Sequence, residues 1–191
     1  LCCGQMLDSK GLSAAADQMA DALAAALLKA ADDGRGGSCP IVMDASPCSV
    51  RMQRHLAGRV RVFDFHEFAH DALLPRLTIR RKTAVDGSVG LIALHVNCSV
   101  RRTGSDEKLR RLLAACVEHY IEPASVSCCG FGGDRGFVVP ELNVHALRTL
   151  SDELPDNCRT GVSTNRTCEI GLSAESGRCY RSIAYLLEEC S

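Results

Sequence analysis

The stretch Ser127-Cys-Cys-Gly-Phe-Gly-Gly-Asp-Arg-Gly136 decides how the chain is read. Two adjacent cysteines run into glycines and then into an Asp-Arg pair. A disulfide between sequence neighbours closes a small, strained ring, so Cys128 and Cys129 call for partners elsewhere. The stretch has a counterpart at the other end of the chain, where Cys2-Cys3-Gly4 repeats the triplet 126 positions earlier. Each triplet leads to a glycine turn with a basic residue ahead of the glycine, Lys10-Gly11 and Arg135-Gly136. Each turn leads to a helical period: Leu12, Ala15, Ala16, Met19, Leu23, Ala26, Leu27 and Ala30 in one, and Leu142, Ala146, Leu147, Leu150 and Leu154 in the other. Pro140 suits the start of the second helix. A short strand follows in each (41–44 and 161–164) and runs into a single cysteine, S-P-C48-S-V-R and R-T-C168-E-I-G. The single cysteines lie 120 positions apart. So constant an offset over four successive features reads as duplication.

Working outward, the second copy has a front half that the first lacks. Gly90 to Val96 is a near-continuous apolar run, as in a strand buried on both faces. It ends at Asn97-Cys98-Ser99. A helix follows with Leu109, Leu112, Leu113, Cys116 and Val117 on one face. Residues 124–127 then read as a strand entering the Cys pair. A complete copy is therefore strand, Cys, helix, strand, Cys-Cys-Gly, helix, strand, Cys. That alternation predicts an α/β fold: two pseudo-symmetric units with parallel sheets flanked by helices, the first truncated at its N-terminus. Val60 to Phe65 reads as a further strand, 66–78 as a helix closed near Pro75, and 178–189 as a terminal helix. The predicted division is 1–78 for the first unit, 79–88 for a polar linker and 89–191 for the second unit. Because the chain opens on Leu1, at the edge of a motif, it is expected to continue a longer protein that supplies the front half of the first copy and its single cysteine.

Composition narrows the chemistry. Cysteine stands at 12 of 191 residues, which means a disulfide scaffold, a metal protein or a redox protein. A disulfide scaffold compensates for a missing core, whereas 46% of this chain is hydrophobic. A net charge of −1 favours neither nucleic acid nor an anionic membrane. No apolar run reaches the roughly 20 residues of a membrane span, and no signal peptide is visible.

Cys98, Cys128, Cys129 and Cys168 all fall at the carboxyl ends of predicted strands. In an open parallel sheet those ends converge on one crevice. Gathered thiolates suit soft metals, zinc or iron–sulfur centres, and glycines beside the pair allow close backbone approach. Adjacent cysteines favour a centre of several metal atoms over one ion. The first copy offers Cys2, Cys3 and Cys48. Cys39, Cys116, Cys158, Cys179 and Cys190 read as buried free thiols of the core. His66-Glu67-Phe68-Ala69-His70 matches a zinc-protease pattern, but Phe65, Phe68, Ala69, Ala72 and Leu73 make an ordinary core stripe there and no third ligand follows. Arg135 is either a surface salt-bridge partner or a cation beside an anionic centre. His95 reads as a core histidine or a neighbour of the centre.

These motifs carry a resemblance. C-C-G-Q-M-L-D-S-K-G (2–11), D-A-S-P-C-S-V-R (44–51), L-L-P-R-L (73–77), C-C-G-F-G-G-D-R-G-F-V-V-P-E-L (128–142) and T-C-E-I-G-L-S (167–173) resemble the tandem cysteine-rich CCG domain. That domain occurs in the heterodisulfide reductases, in the iron–sulfur component of glycolate oxidase, and at the end of fused flavin/iron–sulfur D-lactate (D-2-hydroxyacid) dehydrogenases, which match best. The resemblance implies an oxidoreductase relaying electrons from an FAD module and a ferredoxin-like module upstream to an acceptor such as a quinone or cytochrome chain. It implies a cytoplasmic place, at most peripheral on the inner face of the membrane. It also implies a [4Fe–4S] cluster on Cys98, Cys128, Cys129 and Cys168, with Cys2, Cys3 and Cys48 as the matching set and Arg135 beside the cluster. In the heterodisulfide reductase relatives each unit ends in Cys-x-x-Cys. Here Gly171 and Arg51 stand where that last cysteine would be. Other readings are a structural zinc or docking module that has lost its cluster, and a thiol–disulfide redox enzyme.

Overall fold

The computed structural model describes residues 1–82 and 91–191. They form two compact units, Leu1–Phe65 and His66–Ser191. Residues 83–88 of the expected linker lie outside the described residues. The preceding residues are tied down: the Arg80 N–H donates to the Cys190 carbonyl at 2.6 Å and the Lys82 N–H to the Cys116 carbonyl at 2.9 Å. The architecture is α/β with parallel sheets flanked by helices.

In the first unit the Cys-Cys-Gly triplet enters a single turn, α1 (Gln5–Asp8), and then the long helix α2 (Ser13–Ala31). The inward stripe of α2 is Ala16, Ala20, Ala24 and Ala31, with Leu23, Leu27 and Leu28 half-buried beside it. The small alanines let the helix lie close to its neighbours. The larger residues of the expected stripe flank that contact. Strands β1 (Ile41–Met43) and β2 (Val62–Asp64) pair in parallel, Ile41 opposite Val62, with α3 (Ser46–His55) crossing between them. Cys3, Ala20, Ala24, Ala31, Ile41, Met52 and Leu56 make the core.

In the second unit the chain first winds through α4 (Phe65–Phe68), a wide π turn (Ala69–Leu73) and a tight 3-10 turn (Leu74–Arg76). Pro75 cannot continue α-helical hydrogen bonding, which accounts for the change of winding. Four parallel strands follow: β3 (Ile92–Leu94), β4 (Tyr120–Ile121), β5 (Thr160–Ser163) and β6 (Cys179–Ser182), in spatial order β4-β3-β5-β6. Helices α5 (Cys98–Thr103) and α6 (Asp106–Cys116) connect β3 to β4. Helices α7 (Arg135–Val138), α8 (Glu141–Leu147) and α9 (Leu150–Glu153) connect β4 back to β5, and α10 (Arg166–Ser176) connects β5 to β6. Strand β3 is fully buried, in keeping with its apolar run.

Three elements differ from the reading of the sequence. The strand expected at 124–127 is a turn, and the ladder uses Tyr120 and Ile121 instead. The Glu153 carboxylate takes the Ala124 and Ser125 N–H groups that a ladder would need. The helix expected over 140–154 breaks at Arg148-Thr149, where the Thr149 hydroxyl meets the Ser125 hydroxyl at 2.7 Å. The terminal helix α11 (Ile183–Cys190) starts late, because Cys179–Ser182 pair with β5 and Ser182 caps the helix by accepting from the Ala184 N–H.

The strand order fixes where a ligand can sit. The chain leaves β3 for β4 on one side and returns to β5 on the other. The carboxyl ends of β3 and β5 therefore flank a topological switch point, where parallel sheets open a crevice.

Candidate metal or redox centre

The two edges of that crevice are tied together by polar pairs. His95 Nδ1 lies 3.2 Å from the Ser163 hydroxyl, and Asn97 Nδ2 donates to Thr164 Oγ1 at 2.6 Å. Asn97 also caps α5, accepting from the Ser99 and Val100 N–H groups. This places Cys98 as the first residue of α5. Cys168 is the third residue of α10, as Cys48 is the third residue of α3. Thiolates are favoured in the first turn of a helix, where free N–H groups and the macrodipole present positive charge.

The Cys-Cys-Gly loop completes the set. The sulfurs of Cys129 and Cys168 lie 2.9 Å apart. The Gly130 N–H approaches Cys128 Sγ at 3.4 Å. The thiols of Cys129 and Cys98 hydrogen-bond to Cys128 and hold it far below the usual thiol range, helped by the Gly130 N–H. In consequence Cys98 and Cys129 are pushed up and keep their protons. The thiolate of Cys128 is thus held by the neighbouring thiols of Cys98 and Cys129, which come from two separate loops. Asn165 Nδ2 lies 3.3 Å from Cys168 Sγ. His95 is buried, and its Nε2 has no partner among the described residues.

The first unit repeats the plan with three cysteines. Cys3 and Cys48 have sulfurs 3.0 Å apart, and the Gly4 N–H approaches Cys2 Sγ at 3.4 Å. The Cys48 thiol, then the Gln5 N–H and the Arg51 charge, draw Cys3 down to thiolate, while Cys48 is pushed up by the same pairing. The turns match in detail. Gly4 has φ +77° and Gly130 has φ +72°, and a Cβ on either would lie 2.3 Å from a helix carbonyl oxygen, that of Ala16 or of Leu142. Only glycine fits that close approach.

The places of the missing last cysteines are filled by hydrogen-bond donors. Arg51 Nε donates to the Cys3 carbonyl at 2.7 Å while its guanidinium pairs with Asp8 and Asp17. In the second unit, Asn143 Nδ2 donates to the equivalent carbonyl, that of Cys129, at 2.6 Å. Asn143 lies over Gly171, where a Cβ would come within 2.3 Å of that amide nitrogen. Asn143 and Asn165 were not among the sequence-based candidates. The 126-residue offset places Asn143 opposite Asp17, another polar residue near the start of its helical stretch.

The remaining candidates divide cleanly. Arg135 is exposed at the start of α7, its stem packed over Gly132 in the Cys-Cys-Gly loop. Cys116, Cys158 and Cys190 are buried core thiols, with Cys116 pushed up to about 12 chiefly by burial. Cys39 and Cys179 are exposed, not buried as the core reading expected. The protease pattern does not assemble: His66 is buried against the Ser105 hydroxyl at 2.9 Å, and His70 pairs with Asp71. All twelve cysteines are free thiols.

Donor chemistry and donor spacing give different answers about a metal. Four thiols at a glycine-lined switch point suit a soft metal centre in kind and number. Among the described residues, however, no group of three or more His, Cys, Asp or Glu side chains stands at a spacing that holds a metal ion. Thiolates around one tetrahedral zinc, at about 2.3 Å from the ion, stand about 3.8 Å from each other. Sulfurs at 2.9 Å are therefore drawn inward relative to a loaded set. No helix among the described residues is long and apolar enough to cross a membrane. No family model, curated protein or solved structure matches the chain.

Proposed function

We propose that the chain is an iron–sulfur module of the CCG type that relays electrons within an FAD-linked dehydrogenase of the D-lactate or D-2-hydroxyacid class. The observation that carries this reading is the convergence of Cys98, Cys128, Cys129 and Cys168 at one switch point, with a matched set in the other unit. Those four cysteines would hold the cluster, and a cluster supplies one-electron transfer. The chain's own residues do the rest. Asn97 caps the start of α5, Asn165 donates to the Cys168 sulfur, Gly130 brings a backbone N–H to sulfur, and Asn143 fixes the carbonyl of Cys129. With Gly171 in place of a fifth thiol, the second unit is a four-cysteine site.

The oxidation of a hydroxyacid, the FAD and ferredoxin-like modules and the acceptor rest on the resemblance carried by the two Cys-Cys-Gly motifs. Anaerobic purification and metal analysis test the reading. Iron and acid-labile sulfide in matching stoichiometric amounts, lost in Cys128→Ser and Cys168→Ser, support it. A colourless protein with stoichiometric zinc would replace it with a structural zinc module.

A further inference from the structure

The same chemistry recurs at matched positions in both units: a buried cysteine of the Cys-Cys-Gly loop faces the cysteine in the first turn of the later helix, with nothing between the sulfurs. The separations are 3.0 Å for Cys3 and Cys48 and 2.9 Å for Cys129 and Cys168. A disulfide bond is about 2.05 Å long, so each pair is within about 1 Å of bonding distance. We propose that the metal-free chain forms two internal disulfides, Cys3–Cys48 and Cys129–Cys168, by exchange with a low-molecular-weight disulfide.

The exchange balances without a further oxidant. In the first unit Cys48 is half-exposed. A proton crosses the 3.0 Å contact from Cys48 to Cys3, and the Cys48 thiolate so formed attacks one sulfur of the reagent, forming a mixed disulfide and releasing one small thiolate. Cys3 then attacks the Cys48 sulfur and releases the second. The two protons given up by the cysteines pass to the two small thiolates. Overall, two protein thiols and one small disulfide become one protein disulfide and two small thiols.

In the second unit Cys129 and Cys168 are both buried, whereas Cys128 beside them is exposed. Cys128 therefore takes the mixed disulfide first. Cys129 displaces the small thiol to give a strained vicinal disulfide, and strain makes such a bond easy to open. Cys168 attacks Cys129 and expels Cys128 as a free thiolate. Cys128 is thus an exchange catalyst, consumed and regenerated. Each disulfide withdraws two thiols from its site. The consequence for metal uptake rests on the proposed function, while the pairing itself does not.

The test uses the chelator-treated, reduced 191-residue chain and glutathione disulfide under argon, with alkylation at timed intervals and peptide mapping without reduction. The expected products are a 3–48 link and a 129–168 link. Cys128→Ser should keep the second link and form it roughly tenfold or more slowly. Cys129→Ser and Cys168→Ser should lose it and leave the 3–48 link unchanged, with native-like far-ultraviolet circular dichroism showing that those variants fold. A Cys98–Cys128 link, a stable vicinal disulfide, glutathione adducts without internal links, or an unaltered rate in Cys128→Ser would overturn the proposal. Iron uptake before and after oxidation is a separate readout. Links that form in a chain that never takes up iron would sink the proposed function and leave the disulfides standing.

Discussion

Replacing Gly130 with alanine tests the geometry of the Cys-Cys-Gly turn most sharply. The residue has φ +72°, where an L side chain costs about 1–2 kcal/mol. The added Cβ would lie 2.3 Å from the Leu142 carbonyl oxygen and 2.8 Å from the Ala146 Cβ, so α8 must shift as well. Forcing extra volume into a packed site costs typically about 1–3 kcal/mol. The sum is about 2–5 kcal/mol. Gly132 provides the control. It also has positive φ, but its nearest neighbour would be Arg135 Cδ at 3.6 Å, so only the conformational cost of about 1–2 kcal/mol applies. Urea unfolding followed by far-ultraviolet circular dichroism reads the difference. With a slope of roughly 2 kcal/mol per molar, Gly130→Ala should lower the midpoint by about 1–2.5 M and Gly132→Ala by about 0.5–1 M. Gly4→Ala should resemble Gly130→Ala, because its Cβ would meet the Ala16 carbonyl at the same 2.3 Å. Equal effects at Gly130 and Gly132, or a Gly130→Ala loss under roughly 0.5 kcal/mol, would refute the close approach of triplet and helix.

Further outcomes are expected elsewhere in the site. Asn143→Ala leaves the Cys129 carbonyl without its donor and should lower stability by about 1–3 kcal/mol, measured by the same titration. Gly171→Ala should reproduce that loss, since its Cβ displaces the Asn143 amide. Arg51→Met removes a charge that favours the Cys3 thiolate, so alkylation of Cys3 should slow at a fixed neutral pH. His95 is held neutral, with its pKa lowered to about 4 chiefly by burial. The unfolded chain binds this proton from about pH 6.5 downward and the folded chain does not, so stability falls as pH drops from about 6.5 to 4. The loss attributable to His95 is on the order of 3 kcal/mol, and His95→Gln should flatten the metal-free chain's stability profile across that window.

Much of the fold was legible because its signals are local or repeated. The apolar run at 91–96 could only be a buried strand, and the matched triplets announced two copies of one unit. The sequence pattern put all four cysteines of the second unit at strand ends; Cys98 and Cys168 do follow β3 and β5, whereas Cys128 and Cys129 lie beyond the turn that replaces the strand expected at 124–127. What escaped depends on contacts between distant residues. Tyr120 and Ile121 form a strand because the Glu153 carboxylate occupies the N–H groups of Ala124 and Ser125. Cys179 to Ser182 look helical in sequence, yet the open edge of β5 recruits them. Asn143 carries no motif in the sequence, and only the fold brings it over Gly171. Arg51 was visible only as a missing cysteine, whereas the structure gives it the Cys3 carbonyl and two aspartates to hold. The sulfur separations, which decide between an open donor set and closed thiol pairs, have no counterpart in sequence.

The central claim is that Cys98, Cys128, Cys129 and Cys168 act as one centre. Its most direct test is anaerobic reconstitution of the chain with ferrous iron and sulfide, followed by iron and sulfide analysis and electron paramagnetic resonance after reduction. The expected result is matched iron and sulfide, a reduced-cluster signal, and loss of both in each of the four single cysteine-to-serine variants, with Cys116→Ser and Cys158→Ser unaffected. Full iron, sulfide and signal retained in Cys128→Ser and Cys168→Ser would contradict it.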